Sequence, residues 1–317
     1  MAHIKTNSTP STAQQLIRVI RHERPSFPFT LLKNGFTYST HKYLLRHQHL
    51  VKKIHGYNMK FDLQDPGISR SLLLVGDRER EHQFMLKRAV KPNQTILDLG
   101  ANIGYYVLME HQLLAGTGSV IAIEPSPCNY QALCENVRLN DREKSTITIN
   151  AAITDHDGKI DLHLSQLSNV HSLVKSQVPS PTNQHIKVDA ISLKSIAAQY
   201  PTIDLIRMDI EGYEQTILQS LVELNRLSHF KPSILFELHP PKYDYQKFSD
   251  TLSSLDKIGY QAELIATSHH ELLQQEHLKP IAKLPTDGTT RYIAQNIPIK
   301  TLHKLFMYSR AILLTTK

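Results

Sequence analysis

Four acidic side chains stand where strand-like runs end. Asp98 follows the run 95–97, Glu124 follows 119–123 and Asp209 follows 203–208, while Glu237 lies one residue inside the end of 233–238. If these runs form a parallel sheet, the four carboxylates share its carboxyl edge, where open α/β sheets bind ligands. Gly100 and Gly104 bracket Ala101-Asn102-Ile103 just after the first acid, and an apolar, helix-period run over 103–114 leads away. A strand, a glycine turn and a helix N-terminus in one short segment suit a ligand whose polar end lies against bare backbone.

Three nucleotide-type ligands compete for that turn. A phosphate-cradling P-loop needs Gly-Lys-Ser/Thr, and Gly104-Tyr105-Tyr106 stands there instead. A dinucleotide turn needs a middle glycine, and Asn102 occupies that position. S-adenosylmethionine has no phosphate and fits better. Its methionine end suits the segment Asp98, Gly100, Asn102 and Gly104. Its ribose diol wants an acid at the end of the next strand, and Glu124 lies 24 residues beyond Gly100. The end of the third strand, at Asn150, Ala151 and Ala152, is placed to wall an adenine.

These residues need elements to hold them. The periodicity predicts strands over 58–63, 71–75, 95–97, 119–123, 146–153, 159–164, 186–191, 203–208, 233–238, 260–266 and 291–297. Helices are expected over 13–24, 41–55, 77–90, 103–114, 127–140, 212–227 and 245–258, and Pro127 suits a first helical position. Residues 1–12 read as disordered, 165–184 as a loop or lid, and 270–290 as irregular. Alternating strands and helices predict an α/β fold with a mostly parallel sheet covered on both faces. The organisation expected is a basic helical arm (1–56), a hairpin and helix leading into the core (57–91), the cofactor domain (92–297) and a tail (298–317).

Charge is unevenly spread. Residues 1–60 hold ten Lys or Arg and one acid, while the other 257 residues hold 26 basic and 28 acidic side chains. The arm therefore suits an acidic surface or nucleic acid, or is a solvated face. No apolar run is long enough for a transmembrane helix. The first ten residues lack the apolar stretch of a secretory signal, and Cys128 and Cys134 read as free thiols, so a cytoplasmic location is expected.

Several of these blocks resemble the FkbM-type S-adenosylmethionine-dependent methyltransferases. They are Gly76 with Glu79 and Glu81, DLGANIGYY (98–106), EPSPCNYQALCENVRLN (124–140), the Ala151-Ala152 strand end, IDLIRMDIEGYEQTIL (203–218) and ILFELHP (234–240). The similarity covers roughly residues 57–266. It implies a class I, Rossmann-like methyltransferase fold with a seven-stranded sheet whose last strand is antiparallel. It also implies O-methylation of a hydroxyl on a sugar, glycan or other small metabolite.

For that chemistry the candidate catalytic residues are Asp209, Glu211 and His239, with Glu237 able to orient His239. Sulfonium methyl transfer is an in-line displacement, so positioning supplies much of the rate, and an alcohol nucleophile gains from a base. Asp209 also stands to accept from the methionine amine, and Glu81 is expected to wall the cofactor beside Glu79. His171 and Ser172 lie in the expected lid. Eighteen histidines include one adjacent pair, His269-His270, and no metal-ligand spacing, so no metal is expected. Two other readings stay open. One is an RNA ribose methyltransferase using the arm. The other is a non-catalytic module that binds S-adenosylmethionine.

Overall fold

The computed structural model describes residues 27–179 and 181–316. The helix expected over 13–24 and the disorder expected over 1–12 lie outside the described residues. Phe27–Ser39 forms helix α1, closed by a π-type turn over Thr40–Leu44. His49–Ile54 (β1) and Tyr57–Asp62 (β2) then pair antiparallel, with Ile54 opposite Tyr57. The intervening His55 and Gly56 have φ of 48° and 98°, as a two-residue hairpin turn with matching twist requires. The helix expected over 41–55 is thus corrected, and the boundary drawn at residue 56 falls inside a hairpin. Leu50, Lys52 and Ile54 turn inward with the period of two of a strand.

Ile68–Leu74 (α2) is a helix where a strand was expected over 71–75, because Ile68, Leu72 and Leu73 bury one helical face. Arg80–Ala89 (α3) leads into Thr95–Leu99 (β3), Tyr105–Leu113 (α4), Ser119–Ile123 (β4), Pro127–Leu139 (α5) and Thr146–Ile149 (β5). A small sheet of Ala152–Thr154 (β6), Gly158–Ser165 (β7) and Pro181–Ser192 (β8) follows, with β8 in the middle. The chain continues through Leu193–Gln199 (α6), Leu205–Met208 (β9), Glu214–Ser228 (α7), Ser233–Glu237 (β10), Tyr245–Lys257 (α8) and Tyr260–Thr267 (β11). His270–Gln275 (α9), Ala282–Thr286 (β12), Thr289–Ile297 (β13), Ile299–Leu305 (α10) and Ser309–Thr316 (β14) complete it.

Among the described residues the main sheet has nine strands in the order β12-β13-β11-β14-β10-β9-β3-β4-β5, not the seven expected. β5, β4, β3, β9 and β10 are mutually parallel, and β14 runs antiparallel between β10 and β11. The two added strands, β12 and β13, are a hairpin on the outer edge of β11. Its turn is Asp287-Gly288, with φ of 46° and 71°, a strong turn pair inside a stretch expected to be irregular. The tail expected after residue 297 is also corrected. It supplies β14, an interior strand whose Ala311, Ile312, Leu313 and Leu314 are buried.

Both faces of the sheet are covered, which is why its strands read as continuous apolar runs. Leu97, Leu99, Ile121, Ile123, Ile206, Met208, Ile234 and Phe236 enter one core, while Ile96, Val120, Ala122, Leu205, Leu235 and Leu313 enter the other. From β3 the chain steps outward to β4 and β5, then returns to the opposite side of β3 as β9. The switch in direction lies between β3 and β9, where such sheets open a ligand crevice.

Candidate active site

Register explains why the acids converge. Leu99 pairs with Ile123 and Met208, and Met208 pairs with Phe236, so Gly100, Glu124, Asp209 and Glu237 leave the sheet at one level. A cleft opens there, lined among others by Glu79, Gly100, Ala101, Asn102, Glu124, Ala151, Ala152, Asp209, Glu211 and Glu237. Gly100 has φ +81°, and a Cβ there would lie 2.1 Å from the Asp209 carbonyl oxygen. The backbone of β3 and β9 can approach so closely only because Gly100 has no side chain.

Glu124 closes one end of the cleft. Its Oε2 accepts from the Asn102 backbone N–H at 2.8 Å and its Oε1 from the Ser126 N–H at 2.9 Å. Burial pushes its carboxyl up to about 7, against the pull of those hydrogen bonds. Oε1 also accepts a longer bond from Asn129 Nδ2 at 3.5 Å, so Oε2 is the oxygen with a lone pair left for a diol. Ala151 and Ala152 are buried against this end, and the loop after β7 reaches over it with Asn129 Nδ2 donating to the Ser168 carbonyl at 2.8 Å. His171 lines the cleft from that loop, while Ser172 is buried with its hydroxyl toward the Glu211 carbonyl.

The other end is a field of paired charges. Arg207, on β9 and 2% exposed, sends Nη1 to Asp98 Oδ1 at 3.1 Å and to the Gly100 carbonyl at 3.3 Å. Its Nη2 reaches Asp209 Oδ2 at 3.4 Å, its Nε faces His82 Nε2 at 3.3 Å, and its guanidinium lies 4.1 Å over the Tyr106 ring. Burial and the neighbouring Arg207 push His82 down to about 3, so its ring stays neutral. The Tyr106 hydroxyl donates to Glu79 Oε2 at 2.8 Å. Burial works against ionisation of Glu79, yet Arg78, Arg310 and Arg207 hold its carboxyl well below the ordinary range. Arg310 of β14 pairs with Glu237. Glu79 sits at a left-handed corner, φ 50°, and its N–H is held by Asp287 of the β12–β13 turn at 3.1 Å.

His239 is ringed by acids. Glu214 Oε1 lies 3.2 Å from its Nδ1, while Glu237 Oε1 (3.4 Å), Glu211 Oε2 (3.5 Å) and Asp209 Oδ1 (3.9 Å) lie round its Nε2. Burial opposes charge, but Glu214, Glu237 and Asp209 outweigh it and push His239 up to about 9. At neutral pH it is an imidazolium with no lone pair to accept a proton. Glu211, at φ 55°, pairs with Lys242; burial and Asp209 push its carboxyl up. Glu214 accepts from the backbone N–H groups of Ile210 and Gly212, both at 2.9 Å, and so fixes the turn that presents Asp209 and Glu211.

Three expected cofactor residues stand away from the cleft wall. Glu81 is buried toward Arg291, 3.6 Å away, and Glu79 takes the wall position instead. Asp98 is fully buried beneath the turn as Arg207's partner, with its Oδ2 unpaired. Gly104 packs on Leu133 of α5. Arg207 was missed in the sequence, although a charge inside the apolar run Leu205-Ile206-Arg207-Met208 signals a buried partner. Arg78, Arg310 and Lys242 carry no local signal. Among the described residues, Asp209, Glu211 and His239, and also Glu79, Asp209 and Glu237, bring three metal-ligand-type atoms within 4.8 Å of one another. In this fold the chain's own Arg, Lys and His side chains compensate those acids.

A family model described as the methyltransferase FkbM domain matches residues 98–273, more than half of the chain. No curated relative matches the chain. Among solved structures, the TYW2 protein of M. jannaschii in complex with AdoMet is 15% identical, with 86% of this chain and 88% of that chain covered and a TM-score of 0.41. The methyltransferase FkbM of Methylobacillus flagellatus KT is 14% identical, with 71% and 52% covered and a TM-score of 0.35.

Proposed function

The chain belongs to the FkbM methyltransferase family, and from that premise we propose that it methylates a hydroxyl oxygen of a sugar, glycan or other small metabolite, using S-adenosylmethionine. The observation that supports this reading is the convergence of Asp209, Glu211, Glu237 and Glu79 on the cleft, immediately beyond the Gly100 turn. The donor end fits the cofactor. The turn Gly100, Ala101 and Asn102 lines the cleft for a polar end, Glu124 offers acceptor lone pairs to a ribose diol, and Ala151 and Ala152 form an apolar wall. When bound, S-adenosylmethionine supplies an electrophilic methyl group.

The chain's own residues do the rest. Asp209, anchored by Arg207, orients the acceptor hydroxyl at the strand end. Glu211, its carboxyl pushed up beside Asp209, is the better proton acceptor. His239, held as an imidazolium, tethers the two carboxylates and takes no proton. Glu79 and Glu237, each paired with an arginine, give acceptor hydroxyls a wall of alternating donors and acceptors. The test is release of S-adenosylhomocysteine across a panel of sugar, glycan and metabolite hydroxyls, alongside calorimetric binding of S-adenosylmethionine. Turnover with a hydroxyl acceptor is expected. Binding without turnover on the whole panel would favour a non-catalytic module.

A further inference from the structure

The surface of the N-terminal region is as unusual as the cleft. Phe29, Leu32 and Phe36 recur at three and four residues on α1 and are 75%, 71% and 76% exposed. Tyr43, Leu44 and Leu45, in the turn that follows, are also exposed. Residues 27–60 hold six Lys or Arg and no Asp or Glu; among them Lys33 of α1 and Arg46, just after Leu44 and Leu45, are exposed. An apolar helical stripe flanked by cations on flexible stems matches the composition of helices that lie in a membrane interface.

We propose that this face docks the protein on an anionic lipid bilayer, with Phe29, Leu32 and Phe36 entering the acyl boundary and Lys33 and Arg46 meeting the headgroups. Charge separates this occupant from the others. A second copy would oppose two surfaces that each lack an acid, and residues 1–26 carry four Lys or Arg against one acid. Nucleic acid would pair with the cations but gives Leu32, Leu44 and Leu45 nothing to do. The surface also adjoins the cleft. Asn34 of α1 donates to the Leu74 carbonyl of α2 at 2.8 Å, and Ile68 at the start of α2 lines the cleft. A docked molecule would hold its active site one helix away from the lipid, so acceptors presented at a membrane come within reach.

The experiment is co-sedimentation of the full chain with vesicles of phosphatidylcholine alone, and with about a third phosphatidylglycerol. Pelleting is expected on the anionic vesicles only, weakening with salt. Phe29→Ser/Leu32→Ser/Phe36→Ser and Lys33→Glu/Arg46→Glu should each lower the partition roughly tenfold or more. All five side chains are exposed, so wild-type melting temperatures are the check that both variants fold. Failure of the wild type to pellet would overturn the proposal, as would undiminished pelleting of the apolar variant. RNA binding at low salt without vesicle binding would overturn it in favour of nucleic acid. A dimer dissolved by the apolar variant, again without vesicle binding, would overturn it in favour of a second copy. None of these outcomes depends on methyl transfer, so the docking face and the catalytic reading fail separately.

Discussion

The two ends of the cleft hold their carboxylates in opposite ways. Glu124 is held by main-chain N–H groups from residues 2 and 22 positions away, and among the described residues no cation pairs with it. Asp209, Glu79 and Glu237 are held by side chains instead: Arg207 and Arg78 from neighbouring positions, and Tyr106 and Arg310 from other elements. A carboxylate held by backbone and free of cations keeps lone pairs for a ligand that has the same diol every time. Paired charges build a rigid polar wall whose partners can change with the acceptor. The contrast also separates stability from affinity: losing a buried cation at the acceptor end should cost folding stability, whereas losing Glu124 at the donor end should cost ligand affinity.

The largest expected effect follows from that. Arg207→Met removes the cation shared by Asp98 and Asp209 in a buried site, and should cost about 3–5 kcal/mol of folding stability. Urea unfolding monitored by circular dichroism measures it. A loss under about 1 kcal/mol would mean that the network adds little beyond packing. Asp209→Asn comes next. It keeps shape and loses charge, so the protein should fold, while kcat falls by roughly a hundredfold or more. Near-normal turnover would remove Asp209 from the chemistry and leave Glu211 as the carboxylate that matters.

The same contrast explains what could be read in the sequence. The donor end was legible because its determinants are local. Gly100, Asn102 and Glu124 lie within one βαβ unit, and the runs ending at residues 97, 123, 208 and 238 place β3, β4, β9 and β10 almost where they fold. The acceptor end was half legible. Its acids stood at strand ends, but Lys242 and Arg310, which pair with Glu211 and Glu237, lie on other elements far off in sequence. Glu79 rather than Glu81 faces the cleft because a left-handed corner, braced by Asp287 from 208 residues away, starts α3 late. His239 read as a base from its place after a strand, and only the four acids around it turn it into a cation. The strand β14 was lost because residues 309–316 follow a stretch with no turn signal strong enough to mark a return to the sheet.

At the donor end the effects are smaller and fall on binding. Glu124→Ala should weaken S-adenosylmethionine by about 2–3 kcal/mol, the scale for hydrogen bonds to a charged group, with stability changed far less. Calorimetry on folded protein reads this directly, and unchanged affinity would move the ribose contact elsewhere.

Protonation gives the mildest and most discriminating test. Glu124 sits at about 7 in the fold against an ordinary 4.5. Between those values the folded protein binds a proton that the unfolded chain has lost, so this group favours folding at low pH and that contribution disappears as pH rises through 7. Cofactor affinity must run the other way. Only the ionised carboxylate can accept from two backbone amides and a diol together, so affinity should fall about tenfold per pH unit below 7. Glu81, also near 7, shares the stability trend but not the affinity trend, because it faces Arg291 rather than the cleft. His239, pushed up to about 9, adds stability that is complete below about 6.5 and is lost as pH rises through 9. A Glu124→Gln protein should therefore lose the affinity slope below pH 7 and keep the stability changes that belong to Glu81 and His239. If the slope survives in Glu124→Gln, the proton that governs binding sits at the acceptor end instead, and the division between the two ends is wrong.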